Sequence, residues 1–250
     1  MSISIRGVDV LRSDRPVLQG LTLELGPGEF VGLVGSNGSG KSSLLGAICG
    51  VLPVSAGQVL IDGQAAGTVS ANRLLGRALD PALLPGGLTG IQLLELVCSA
   101  RAGSRPVPSA SLGLAEALKL SPFLNQAIAR YSLGTRQKLA IVAGLIDEPP
   151  YWLLDESLNG LDPPSAYVLK QHLVAARARG ITTLLATHGL EMAERQLSRV
   201  LVLHEGALRA DWSEAQLLSV RADPGRSIES ELVAAMTRPG VVSVAAPAPE

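Results

Sequence analysis

Gly35-Ser36-Asn37-Gly38-Ser39-Gly40-Lys41-Ser42-Ser43 follows directly on the apolar run Phe30-Val31-Gly32-Leu33-Val34. The stretch fits G-x-x-x-x-G-K-[ST], and the run before it has strand length and composition. It reads as a strand feeding a phosphate loop. Glycines let the backbone curl so that successive N–H groups face one anion, and a helix starting near Lys41 would direct its positive dipole end at the same place. Lys41 then reaches the β- and γ-phosphates of a nucleotide, and the Ser42 hydroxyl is offered to Mg²⁺. Gly35 through Ser43 are the candidate nucleotide-binding residues.

Composition sets the frame for that loop. The chain has 250 residues, 47% of them apolar, enough for a substantial core in one large domain or two smaller ones. With 21 basic and 22 acidic residues the net charge is −1, so there is no general electrostatic footprint for nucleic acid or anionic lipid. Cys49 and Cys98 stand far apart without a His or Cys at ligand spacing, so neither a zinc site nor a disulfide framework is indicated and two buried apolar residues are expected. The amino terminus lacks a basic segment followed by an apolar core, and no apolar run reaches membrane-spanning length. A cytoplasmic chain is expected. A mean hydropathy of +0.31 with only 3% aromatics is high for a soluble monomer, and part of the excess is expected to cover a partner surface.

Along the chain, residues 3–10 and 17–25 alternate apolar and polar around the turn Ser13-Asp14-Arg15-Pro16, predicting a small antiparallel sheet. The helix from Lys41 is expected to end near Gly50, and residues 57–63 to return as strand and turn. From about Asn72 to Gly144 the periodicity is helical, with little strand signal and breaks at Pro81, Pro85, Pro106, Pro108 and Pro122. Residues 91–97 and 115–120 read as helices, with 102–111 as a connection. Tyr151-Trp152-Leu153-Leu154-Asp155-Glu156 is a buried parallel strand whose carboxyl end carries two carboxylates. A helix over 163–179, a strand over 182–187, a helix over 191–197 and a strand pair at 200–204 and 207–209 follow. Helices at 214–220 and 227–236 precede an Ala/Pro tail at 244–250 that is expected to be disordered.

Behind a phosphate loop, an acidic pair at a strand end can divide the work of hydrolysis. Asp155 would hold Mg²⁺ through water beside Ser42, and Glu156 would polarise the attacking water. Taken without the loop, such a pair is an ordinary solvated turn.

Tyr131-Ser132-Leu133-Gly134-Thr135-Arg136-Gln137-Lys138-Leu139 precedes an apolar helix ahead of this pair, and with it the chain resembles an ATP-binding cassette (ABC) ATPase. The stretch is similar to a variant signature motif, Ser157-Leu158-Asn159-Gly160-Leu161-Asp162 to the D-loop, and Thr187-His188-Gly189 to the switch histidine. The motifs stand in the family's order, from Ile3 to about Arg209. The wording is closest to bacterial exporter ATPases that pair with separate membrane subunits.

The resemblance implies an α/β fold of the P-loop NTPase (RecA-like) kind, with a mainly parallel core sheet, an N-terminal antiparallel sheet and an inserted helical subdomain. It implies an ATPase domain over residues 1–210, with the helical subdomain at about 72–144, followed by a weakly ordered extension over 211–250. It also implies a head-to-tail dimer with a second ATPase subunit, identical or paralogous, sandwiching two ATP molecules with Mg²⁺. Ser132, Leu133, Gly134 and Thr135 would hold the ATP bound to the partner subunit, because a helix start with Ser at its cap and Gly134 bare is a second anion site. Asp162 closes the D-loop, and His188 would contact the γ-phosphate and water, the alternative being a core histidine. His172 and His204 read as structural. Transmembrane permease subunits are the expected partners, at the cytoplasmic face of the membrane, and no nucleic acid is expected. A soluble ABC ATPase of DNA repair or translation is the alternative.

Two positions depart from the family's pattern. Where an aromatic residue usually stacks on adenine, the chain has Leu11 or Arg12, and the Arg12 guanidinium can stack on a base. Where the Q-loop glutamine is expected, only Asp80 is suitably polar. It could reach Mg²⁺ through water, or it could simply begin an Asp-Pro turn with Pro81.

Overall fold

The computed structural model describes residues 1–103, 106–188, 195–223 and 225–237. Strands β1 (Ile3–Arg12) and β2 (Arg15–Leu25) form a hairpin whose turn residues Ser13 and Asp14 take φ of 48° and 63°, the handedness that matches strand twist. β4 (Ala56–Ile61) pairs antiparallel with β1, and β5 (Gln64–Ala65) with β4. Ile3, Ile5, Val8 and Val10 of β1 are all buried, so this small sheet covers something with one face.

What it covers is a second, six-stranded sheet. This is built from β3 (Phe30–Val34), β6 (Leu75–Arg77), β7 (Tyr151–Asp155), β8 (Thr182–Thr187), β9 (Arg199–His204) and β10 (Ala207–Trp212), in the order β10-β9-β3-β8-β7-β6. Every neighbouring pair is parallel except β10 with β9. Side chains alternate across each strand, and both faces are buried. Val31, Leu33, Tyr151 and Leu153 share an apolar cluster with the small sheet and with α1 (Lys41–Ile48), while Phe30, Val34, Trp152 and Leu154 belong to the cluster beneath the other helices. A strand buried on both faces must be apolar throughout, which is why β3, β7 and β8 read as continuous runs. Each fully buried large side chain contributes about 1.5–3 kcal/mol, so the central strands make a stiff platform.

Among the described residues the remaining helices are α2 (Val69–Leu74), α3 (Gly90–Ala102), α4 (Ser109–Ala117), α5 (Leu133–Gly144), α6 (Pro163–Ala178), α7 (Glu214–Ala222) and α8 (Ile228–Thr237). The fold is thus an α/β, mainly parallel core with an N-terminal antiparallel sheet and helices inserted between β6 and β7. Leu217 and Val220 of α7 and Ile228, Leu232 and Ala235 of α8 are buried in the same cluster as Trp152. Burial of these residues ties the segment after β10 to the core.

Two expectations differ from the structure. The stretch from Asn72 contains a strand, β6, paired with β7 at Leu75↔Tyr151. Three residues are too short to show alternation, and their partner alone makes them a strand. α4 begins at Ser109 inside the expected connection, with Pro108 as its cap. Proline is tolerated at a helix start, so the Pro-rich stretch ends in a helix entry. Most of the helix expected over 191–197, Gly189 and the tail at 244–250 lie outside the described residues. Cys49 and Cys98 are both buried, as expected. His172 stacks on Trp152 at 5.3 Å with the rings 9° apart.

Candidate functional site

The strand register decides where the chemistry gathers. Val34 pairs with Thr187 and Asp155 with Ala186, so the carboxyl ends of β3, β8 and β7 stand level. Each is followed by one of the sequence motifs: Gly35–Ser43 after β3, Glu156 after β7 and His188 after β8. Ligands of open parallel sheets bind at this end.

The loop after β3 is packed hard against its neighbours. A Cβ on Gly35 would lie 2.2 Å from the Leu203 carbonyl, and one on Gly40, at φ 109°, would lie 2.8 Å from the Val17 carbonyl. Only glycine allows those approaches. The Gly206 N–H donates to the Ser39 carbonyl at 3.0 Å, so the β9–β10 turn holds the loop from below. A cleft of about 350 Å³ opens above it, lined by Arg12, Val17, Asn37, Gly38, Gly40, Lys41, Ser42, Ser43 and Glu156.

Lys41 is only 6% exposed, and its ammonium donates to the carbonyls of Gly35 at 2.7 Å and Ser36 at 3.1 Å. It also lies 3.9 Å from Glu156 Oε1. A buried cation held by carbonyls is a charge stored where an anion can collect it.

Glu156 sits in the left-handed region at φ 48°, and its N–H donates to the Ala186 carbonyl at 3.0 Å. That conformation, uncommon outside glycine, turns the chain sharply off β7 and aims the carboxylate at the cleft. Its Oε2 lies 2.8 Å from His188 Nδ1 and accepts from Asn159 Nδ2 at 2.8 Å. Asp155 Oδ1, one residue earlier, is buried with no hydrogen-bond partner among the described residues.

The stretch from Ser132 to Thr135 lies elsewhere. Ser132 caps α5, its hydroxyl accepting from the Thr135 N–H at 3.2 Å, and Leu133 is 65% exposed. A Cβ on Gly134 would come within 3.0 Å of the Gly160 carbonyl. None of the residues lining the cleft comes from α5. The D-loop is fastened to this helix: Gln137 Nε2 donates to the Ser157 carbonyl at 3.2 Å, and Lys138 Nζ to Asp162 Oδ2 at 2.7 Å. Asp162 also caps α6, accepting from the Ser165 N–H at 2.8 Å. The hydrogen bond from Lys138, then those from Ser165, hold its carboxyl well below the usual range.

Asp80 is exposed, and its Oδ1 accepts from the Ala82 N–H at 2.8 Å, capping the short 3₁₀ turn at Pro81–Leu83. This is the Asp-Pro turn that the sequence allowed as the alternative to a metal role. Arg12 lines the cleft. The contact that sequence reasoning missed is Asn159 on Glu156; three residues of spacing hinted at it, but only the reversed backbone at Glu156 closes it.

Comparison with known proteins agrees with this geometry. Residues 18–159, more than half of the chain, match the family described as ABC transporter. An ABC transporter ATP-binding protein of Bacillus subtilis (strain 168), YdbJ, is 29% identical over 84% of this chain and 69% of its own length. The Nod factor export ATP-binding protein I of Rhizobium meliloti is 30% identical over 82% of this chain and 62% of its own. A solved structure, described as the ATP binding subunit of an ABC transporter, superposes with a TM-score of 0.83 at 27% identity, covering 95% of this chain and all of that one.

Proposed function

This chain belongs to the ABC transporter family, and on that premise we propose that it binds and hydrolyses ATP to drive a membrane transporter, acting as a head-to-tail dimer docked on separate transmembrane subunits. The observation that carries the reading is the meeting of Lys41 and Glu156 in one cleft at the ends of parallel strands. Lys41 and the loop N–H groups bind the phosphates. Glu156 Oε1 takes a proton from the attacking water as the water oxygen bonds to the γ-phosphorus and the bond to the β–γ bridging oxygen breaks, with ADP as the leaving group. An ionised Glu156 accepts from His188, so Nδ1 carries a proton and Nε2 is the ring nitrogen left to face the nucleotide.

A divalent cation fits the residues present. Asp155 Oδ1 is buried without a partner among the described residues, and the exposed Ser42 hydroxyl lines the cleft. Both are hard oxygen donors of the kind Mg²⁺ takes. Among the described residues no group of three His, Cys, Asp or Glu side chains could hold a metal unaided, which suits an ion delivered with the nucleotide. Bound there, Mg²⁺ would neutralise phosphate charge, and Ser42 and Asp155 would hold it. Asp80, engaged in its own turn, is left out of this set.

Because Ser132, Leu133, Gly134 and Thr135 are not among the residues lining the cleft, we assign them to the nucleotide of the partner subunit. The export relative supports outward transport. Among the described residues no helix is long and apolar enough to cross a membrane. We propose that the permeation path belongs to transmembrane subunits and that this chain sits peripherally on the cytoplasmic face, a reading supported by its transporter family and by relatives described as ATP-binding proteins.

Glu156→Gln tests the assignment. The amide keeps the shape and loses the base, so ATP binding is expected to persist while hydrolysis falls by about 10²–10⁴-fold. The ATP-bound dimer should then accumulate on size exclusion in Mg²⁺-ATP. A monomer with normal turnover would remove Glu156 from the role.

A further inference from the structure

Glu156 is held by one oxygen. Both Asn159 Nδ2 and His188 Nδ1 lie 2.8 Å from Oε2, whereas Oε1 is the oxygen 3.9 Å from Lys41 Nζ. A carboxylate turns about its last side-chain bond, so pinning Oε2 fixes where Oε1 points. The two donors are unequal. The His188 side chain is 60% exposed at the end of β8, whereas the Asn159 N–H also donates to the Glu156 carbonyl at 2.9 Å. Residues 156 and 159 are therefore locked in one turn by a backbone and a side-chain bond.

We infer that Asn159 is a positioning residue for hydrolysis, holding Oε2 of Glu156 so that Oε1 remains aimed into the cleft; the inference rests on the reading of Glu156 as the base. The amide is chemically suited to the task. It presents N–H to a group that only accepts, and it carries no charge to compete for Lys41. Should His188 turn its ring towards a bound nucleotide, Asn159 remains the tether. An aspartate in its place would be acceptor-only and would set a like charge against Oε2. A serine would keep a donor on a shorter arm.

Steady-state ATP hydrolysis by the full chain, with Mg²⁺-ATP, decides the matter. Asn159→Ala is expected to lower kcat by about tenfold, the order of a lost hydrogen bond to a charged group, with KM for ATP within about twofold of the parent. Asn159→Asp should fall further, and Asn159→Ser should lie between parent and alanine variant. In the Glu156→Gln background, where no base remains to aim, Asn159→Ala should leave the residual hydrolysis unchanged. A role in turn stability alone would cut hydrolysis equally in both backgrounds, and that result overturns the inference. So does equal turnover by parent, serine and alanine variants. Normal turnover by Glu156→Gln would instead sink the reading of the base on which this stands.

Discussion

Lys41→Met separates what the lysine does for the protein from what it does for the ligand. Lys41 is 6% exposed, and its ammonium donates to two carbonyls. Hydrogen bonds involving a charged group contribute about 1.5–3 kcal/mol each, while burying an ammonium costs several kcal/mol, so the two nearly cancel. Methionine keeps the apolar stem that packs beneath the loop. Unfolding free energy in urea should therefore change by no more than about 1 kcal/mol. ATP affinity should behave differently, because the same ammonium would engage the β- and γ-phosphates. Losing two charge-assisted contacts of about 1.5–3 kcal/mol each costs about 3–6 kcal/mol, a weakening of more than a hundredfold. Calorimetric titration with ATP beside urea denaturation reads both quantities. ATP affinity within about threefold of the parent would refute the phosphate-loop chemistry. A large loss of stability would refute the near-cancellation.

Mixing Ser132→Arg subunits with Glu156→Gln subunits should give dimers with both defects on one ATP site and the other site intact, because α5 would serve the opposite ATP; one defect on each site would end the head-to-tail arrangement. Asp162, held low by Lys138 and Ser165, binds fewer protons when folded than when unfolded. The stability it adds is therefore present above the unfolded carboxyl's value of about 4 and lost as pH falls below it. Denaturation curves of parent and Asp162→Asn should differ at pH 7 and converge in acid, and a pH-independent gap would count against the ion pair. Asp80→Ala should leave ATP affinity and hydrolysis within about threefold of the parent, because Asp80 caps its own exposed turn and does not line the cleft; a larger fall in hydrolysis would return Asp80 to the metal's water shell.

What could be read in the chain was what each element carries within itself. The β3 strand, its glycine loop and the acidic end of β7 are contiguous, and their chemistry needs only their own neighbours. Ser132 announces its helix because a cap is a local device. β6 could not be read, since Leu75-Gly76-Arg77 is a strand only because Tyr151–Leu153 lies beside it. The Asn159–Glu156 bond was hidden for a related reason. It depends on a positive φ at a glutamate, which no propensity suggests. Asp80 shows the opposite case, a local Asp-Pro signal that the structure follows while the family pattern suggested a longer reach.

The position of β3 has a consequence for how the protein comes to exist. Its neighbours in the sheet are β8 and β9, and Phe30 bonds to Ser198 across 168 residues of sequence. On the ribosome the nucleotide loop therefore emerges well before β8 and β9, and its strand waits for them as partners. Until then Phe30, Val31, Leu33 and Val34 are an unshielded apolar edge. Pairing at such separation is slow and leaves intermediates prone to aggregate. The nascent chain cannot grip ATP until residues through Val202 have been released, so nucleotide binding during synthesis marks the moment at which the central sheet closes.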